Sequence, residues 1–149
     1  MTVRFDPVCV SDADTLVRLA RDFHREDGHP LTEGGEAALR QIAHGEPFAR
    51  AWLVREDDAA LGYLIITLGF SVEYGGRDGF IDDLYLVSAA RGRGLGRKLI
   101  DFARAQAREL GIGTLHLEVE GGNDAAARLY RAAGFSETGR RLMRLRVAG

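Results

Sequence analysis

The chain has 149 residues, 46% hydrophobic and 28% charged, which suits one domain with a real core and leaves little room for two. Its formal net charge of −2 argues against a general basic field for nucleic acid, and its longest apolar run, Leu61 to Leu68, falls far short of the ~20 residues that span a bilayer. The total hides a split, because residues 1–88 carry 8 basic and 16 acidic side chains whereas residues 89–149 carry 12 and 6.

In chain order, residues 2–10 read as a short strand. Ser11-Asp12-Ala13-Asp14 has the form of a capping box, and Ala13, Leu16, Val17, Ala20 and Phe23 continue at helical spacing, so a first helix is expected to about Asp27. Gly28-His29-Pro30 breaks it, and Thr32 caps a second helix through Ile42. Ala51 to Val54 and Leu61 to Leu68 flank the polar Glu56-Asp57-Asp58, the pattern of a hairpin. A Gly-rich loop, Tyr74 to Gly79, precedes an apolar strand from Phe80 to Val87. From Leu95 the stripe Leu95, Leu99, Phe102, Ala103, Gln106 and Leu110 follows helical spacing, with Arg97, Asp101, Arg104 and Arg108 opposite and Gly111 as C-cap. Leu115, Leu117 and Val119 alternate with His116, Glu118 and Glu120 as a strand with one buried face. Asn123 caps a last helix whose inner stripe is Ala126, Leu129, Tyr130 and Ala133, Gly134 ends it, and residues 135–147 read as one or two strands. Strand, helix, strand between residues 80 and 120 is a βαβ unit, so the sheet is mixed and the class is α/β (α+β).

The opening Met1 to Asp6 lacks a signal-peptide apolar stretch, so a cytoplasmic protein is expected. One cysteine, Cys9, cannot form an intrachain disulfide, and within Val8-Cys9-Val10 it reads as a small packed residue. The four histidines show no zinc spacing, and His24 and His29 do not share a helix face as a metal pair would, so no metal is expected.

Two segments carry chemistry. Arg91-Gly92-Arg93-Gly94-Leu95-Gly96 stands between a strand and a basic helix; its N–H groups and the positive end of the helix dipole suit phosphate oxygens, with Arg93, Arg97 and Lys98 as counter-charge. A tight turn before a solvated basic helix is the plain alternative. The segment is neither a P-loop nor the dinucleotide fingerprint, because Gly-Lys-Ser/Thr is missing and the spacing is G-x-G-x-G. Asp82-Asp83 lies in an otherwise apolar strand, where an unpaired buried charge costs several kcal/mol and must be compensated. Either a structural salt bridge supplies the compensation, or a carboxylate serves as a base or as a pole for a cation, with its pKa raised by burial beside a like charge.

Ile81-Asp82-Asp83-Leu84-Tyr85-Leu86-Val87, then Arg91-Gly92-Arg93-Gly94-Leu95-Gly96, then Asn123-x-x-Ala126-x-x-Leu129-Tyr130-x-x-x-Gly134-Phe135 together resemble the GNAT superfamily of acyl-CoA N-acyltransferases. The resemblance is close over about residues 60–147, and within the superfamily the Glu73-Tyr74 loop and the strand look most like the spermidine/spermine-type branch and related small-amine acetyltransferases. It implies one N-acetyltransferase domain over residues 1–149, with a mixed central sheet of six to seven strands flanked by about four helices. It also implies acetyl-CoA as co-substrate, with the pyrophosphate held by the loop Arg91, Gly92, Arg93, Gly94, Leu95, Gly96 and Arg97. The pantetheine arm would pair with the strand at Leu84, Tyr85 and Leu86, a backbone N–H near Leu86 would polarise the thioester carbonyl, Asn123 would contact the arm, and Arg131 would meet the 3′-phosphate. Tyr130 falls where many members place a proton donor to the thiolate; the alternative is an aromatic on the buried face of its helix. Asp82 falls where polyamine-type members carry a Glu base, one methylene longer, which favours a bridging water. Glu118 is a second base candidate or a surface carboxylate. Glu73, Tyr74, His29, Asp82 and Asp83 would line the acceptor site.

An alkylamine with pKa ~10.4 is protonated at pH 7 and cannot attack a thioester until a base or water chain takes its proton. The expected function is acetyl transfer to a primary amine of a small molecule by direct attack. A protein N-terminal or lysine acetyltransferase and a non-catalytic acyl-CoA-binding module are the alternatives. Nucleic-acid and membrane partners are not expected; the oligomeric state is left open, with a homodimer among the options because family members often dimerise.

Overall fold

The computed structural model describes residues 2–148, which divide into two compact units, one up to Glu118 and one from Val119 onward. In the first unit, β1 (Val3–Pro7), β2 (Ala49–Glu56), β3 (Ala59–Ser71), β4 (Gly76–Leu86) and β5 (Thr114–His116) form one sheet in that order. All neighbours are antiparallel except β4 and β5. Helix α3 (Leu95–Glu109) makes the parallel crossover between those two, as the βαβ pattern requires, and α1 (Ala13–Glu26) and α2 (Glu33–Ala43) lie between β1 and β2 in sequence.

Strand alternation sorts the core into two layers. Leu53, Tyr63, Ile65 and Tyr85 pack with Leu16, Val17, Leu19 and Ala20 of α1 and Leu39 of α2. The opposite parity, Trp52 with Leu64 and Ile66 with Ile81, faces α3, where Trp52 meets Phe102 edge-on at 5.6 Å. Leu95, Leu99, Ile100, Ala103 and Ala107 are the buried residues of α3, Phe102, Gln106 and Leu110 of the expected stripe are only half-buried, and Arg97, Arg104 and Arg108 stay exposed.

Several sequence expectations need correction. The first helix is not capped at Ser11: a short 3-10 turn over Val10–Asp12 leads into α1, and Asp12 reaches back to accept the Cys9 N–H at 3.0 Å. Cys9 is exposed rather than packed, with its sulfur 3.2 Å from the Asp12 carboxylate. The Gly-rich segment 74–79 is only partly loop, because β4 begins at Gly76 and extends the hairpin with β3 from Ser71. The sheet among the described residues has five strands, not six to seven. β5 stops at His116, and residues 135–148 form no strand. Leu142, Met143, Leu145 and Val147 are 71% to 91% exposed, so the apolar-basic alternation of this segment buries no face and pairs with no strand edge, and periodicity alone does not make a strand.

In the second unit, α4 (Asp124–Ala132) is capped as expected, the Asn123 side-chain oxygen accepting the Ala126 N–H at 3.2 Å. The Tyr130 ring stands edge-on to Phe135 at 5.9 Å, whose N–H donates to the Tyr130 carbonyl at 3.0 Å. Arg131 pairs with Glu137 at 3.0 Å. Of the expected inner stripe only Ala133 is buried; Ala126, Leu129 and Tyr130 are half-buried.

Candidate active site

The register between β3 and β4 decides the site. Tyr63 opposes Tyr85, Leu64 opposes Leu84 and Ile65 opposes Asp83, but the next residue, Ile66, opposes Ile81. Asp82 is therefore the extra residue of a β-bulge. In a regular strand Asp82 and Asp83 would point to opposite faces. The bulge breaks that alternation: Ile81 faces α3 with Ile66, Asp83 shares the face of Ile65 and Tyr63, and Asp82 between them lies near enough to His24 for the imidazole charge to act on it.

The two carboxylates have different surroundings. The Tyr63 hydroxyl donates to Asp83 Oδ2 at 2.7 Å, and His24 Nε2, from α1, lies 2.9 Å from the same oxygen. Asp83 is thus held by two donors with its side chain 11% exposed. Asp82 lies in the exposed class as a whole residue, yet protein crowds its carboxyl; burial first, and the charge of Asp83 second, push its pKa above the ordinary value. Glu118 adds to that push, and His24 opposes it. The hydrogen bond to Asp83 raises the His24 pKa, against the opposing effect of burial. Burial, with the Asp83 charge and hydrogen bond, pushes the Tyr63 hydroxyl far up, so it stays protonated as a donor.

Aromatic rings frame these groups. Phe23 stacks on Tyr85 at 5.2 Å and stands edge-on to Tyr63 at 6.3 Å. Burial, with a hydrogen bond to Glu26, pushes Tyr85 up to about 12. Arg91 lies 5.8 Å from the Tyr85 ring centroid, donates to the Leu86 carbonyl at 3.0 Å and reaches Glu26 at 3.3 Å. Toward the other end of β4, Phe80 and Tyr74 both contact the His116 ring at 4.9 Å, and His116 Nε2 lies 3.2 Å from Asp78.

β5 pairs with β4 only over Asp78, Gly79 and Phe80. From Ile81 to Leu86, therefore, no strand among the described residues pairs with the outer edge of β4, so this stretch of main chain suits an extended ligand as a partner. At the end of that edge the chain turns through Ser88–Ala90 and the exposed Arg91 to Gly94, with Gly92 and Gly94 at φ of 73° and 76°. These left-handed values suit glycine, and a Cβ built at either would meet nothing within 4 Å, so the backbone borders open space. Gly94 is the N-cap of α3, whose first turn holds no acidic residue and whose leading N–H groups point out of the helix end. Arg93 is paired with Glu56 at 2.5 Å and Arg97 with Asp101 at 3.3 Å. The Arg97–Asp101 pair is exposed on both sides and weak enough to yield to a phosphate, whereas Arg93 is held by both oxygens of the half-buried Glu56.

Of the residues singled out in the sequence, Leu84, Tyr85, Leu86, Asp82, Asp83 and the Arg91-to-Arg97 loop come together along β4 and the start of α3. Glu118 lies near enough to Asp82 to act on its charge. Tyr74 packs on His116, Glu73 is exposed in the β3–β4 turn, and His29 is exposed just beyond α1. Asn123, Tyr130 and Arg131 belong to the second unit, with the contacts given above. Sequence reading missed His24 and Tyr63. His24 follows Ala20 by one helical turn, so a polar residue borders the buried stripe of α1; Tyr63 carries the only side-chain hydroxyl of Leu61 to Ile66, and buried it needs a partner.

The sequence profile of the acetyltransferase (GNAT) family matches residues 14–135. The N-alpha-acetyltransferase RimI of Mycobacterium tuberculosis is 45% identical over 65 residues, 41% of this chain and 37% of that protein. The thialysine N-epsilon-acetyltransferase of Bos taurus is 28% identical over 120 residues, 79% of this chain and 65% of that protein. The matches thus span between about a third and two thirds of those relatives' lengths. Among solved structures, an integron cassette protein from the mobile metagenome of Cole Harbour Salt Marsh is 34% identical at a TM-score of 0.84, over 97% of this chain and 91% of that one. The aminoglycoside N-acetyltransferase AAC(6')-Iy, solved in complex with CoA, shares the fold at a TM-score of 0.83 and 14% identity, over 99% of this chain and 96% of that one. No helix among the described residues is long and apolar enough to cross a membrane. With a profile match running from the start of α1 past the end of α4, and with an unpaired stretch of β4 leading into a glycine loop, the chain belongs to the GNAT acetyltransferase family.

Proposed function

We propose that this protein transfers the acetyl group of acetyl-CoA to a primary amine of a small cationic molecule, by direct attack and without an acetyl-enzyme. The observation that carries this reading is the bulge at Asp82, which sets an unclamped carboxylate next to the clamped Asp83 and within reach of the His24 charge, beside an unpaired strand edge. Acetyl-CoA supplies an activated acyl thioester. The residues present fit it: the β4 edge from Leu84 to Leu86 suits the pantetheine arm, and the N–H groups from Gly92 to Gly96 with Arg93, Arg97 and Lys98 suit the phosphates.

In this reading the acids draw in the ammonium, and Asp82, whose raised pKa brings it closer to the working range of a base, takes the proton directly or through a water. Glu118 is the second candidate for that step. The amine nitrogen then bonds to the acyl carbon while a backbone N–H near Leu86 holds the developing oxyanion. As the carbon–sulfur bond breaks, the Tyr130 hydroxyl would give its proton to the thiolate, and the surplus proton of the new amide nitrogen would pass through water to restore the phenol. Asn123 and Arg131 would bind the arm and the 3′-phosphate, and Glu73, Tyr74 and His29 would border the acceptor. The match to RimI keeps a protein α-amine as the second reading. The spermidine-type likeness and the acidic face favour the small cation.

Calorimetry with acetyl-CoA tests the cofactor, and initial-rate kinetics with mass spectrometry test the route. Intersecting double-reciprocal lines with no acetylated protein support direct attack; parallel lines with an acetylated side chain contradict it. Absence of acetyl-CoA binding contradicts the whole assignment.

A further inference from the structure

His24 has no part in the reaction above, yet it is built into the site. Its imidazole is hydrogen-bonded to Asp83 at 2.9 Å, its side chain is 30% exposed, and Phe23 stands edge-on to its ring at 5.3 Å. The groups that act on it are Asp82 and Asp83 from β4 and Asp27 beyond its own helix, with Tyr63 of β3 sharing its acceptor oxygen. Among these the imidazole is the one group able to become positive. We propose that His24 is a positioning residue for the acceptor: it holds Asp83 in place and, by losing its proton, increases the pull of the Asp82–Asp83 pair on the acceptor's ammonium. The inference rests on the proposed acetylation of a cationic amine.

The chemistry follows from the geometry. Protonated, His24 cancels the charge of Asp83 and makes Asp82 a weaker proton acceptor, since its positive charge acts on that carboxyl. Neutral, it keeps the Nε2–H donated to Asp83, so Asp83 stays oriented while the site gains one net negative charge. Because the hydrogen bond to Asp83 holds the imidazolium, against the opposing effect of burial, the change falls above the ordinary imidazole range. Alkylamines remain protonated throughout that range, so the acceptor's own titration does not mask it. By reciprocity, binding the ammonium must favour the neutral imidazole.

The His24 resonance can be followed by NMR through a pH titration of the whole protein, using His24→Gln to assign it among the four histidines. The expected result is a titration midpoint that falls in Asp83→Asn and falls again in the native protein on adding 1,4-diaminobutane. A midpoint indifferent to both changes overturns the proposal. In turnover of the same diamine, KM should fall about 5–10-fold from pH 6 to 8 in the native protein and less in His24→Gln, which keeps a donor but no charge. His24→Phe, which loses the donor, should lower kcat as well, with Gln restoring most of it. Equal pH dependence of KM in the native protein and His24→Gln overturns the proposal while leaving amine acetylation intact. If both NMR shifts occur and no amine is acetylated, the role of His24 in acceptor binding stands and the catalytic reading falls.

Discussion

Two adjacent aspartates with the same chemistry take different parts because of what each can reach. Asp83 has Tyr63 and His24 on one oxygen, which fits an anchor. Asp82 has only through-space neighbours, which fits a group that exchanges a proton. Asp82→Asn is expected to lower kcat/KM about 10²–10³-fold, and in the native protein activity should fall as pH drops through the raised Asp82 pKa; a pH–rate profile unchanged by the substitution removes Asp82 as the base. The sign for stability is opposite. A carboxyl whose pKa is raised on folding weakens the fold as it ionises, from its unfolded pKa upward, so Asp82→Asn should raise Tm at pH 7 by about 1–3 °C, readable by calorimetry. His24, also raised, stabilises the fold below its unfolded pKa and loses that contribution as pH rises through its folded value.

The β4 strand shows which parts of the molecule the sequence determines visibly. Its apolar run, the βαβ crossover, the caps at Thr32 and Asn123 and the buried stripes of α1 and α3 were all legible, because each follows from a local period or a single capping side chain. The bulge was not. It depends on where β3 fixes the register, and nothing within Phe80 to Val87 marks Asp82 as the inserted residue. The final strands were over-read for a related reason: the alternation from Leu142 to Val147 is local, but a strand needs a partner. Gly62 shows how closely β3 and β4 approach, since a Cβ there would lie 2.0 Å from the Tyr85 carbonyl oxygen. Gly62→Ala should cost about 1–3 kcal/mol in urea unfolding and disturb the edge that the proposal gives to acetyl-CoA. At the start of α1, burial works against the charge of Asp12, but the Cys9 N–H, the Cys9 thiol and Arg55 at 2.6 Å outweigh it and hold the pKa below its ordinary value. That contribution is present above the unfolded pKa and lost as pH falls through the folded one. Asp12→Ala should destabilise the protein by about 2–4 kcal/mol at pH 7, and by progressively less as pH falls below the ordinary carboxylate range.

For the whole molecule, the split between an acidic first part and a basic second part acquires local content. The acidic side includes Asp82, Asp83 and Asp27 around His24, and the basic side opens with Arg91, Arg93, Arg97 and Lys98 about the α3 N-terminus. Two ligands of opposite sign would then meet along one strand. Part of the count is unrelated to this, since Arg40 pairs with Asp14 and Glu36 and Arg25 with Asp22 on exposed surface. If the acids steer a cation, KM for a charged amine should rise severalfold from about 0.05 to 0.5 M salt, whereas a neutral aromatic amine should show little change. The most direct test of the account is CoA release by the purified protein from acetyl-CoA across alkyl diamines, amino acids, N-terminal peptides and lysine peptides. Release should depend on a small cationic amine, with one acetyl group found on that amine. Release with peptides alone, or with none of the acceptors, would contradict it.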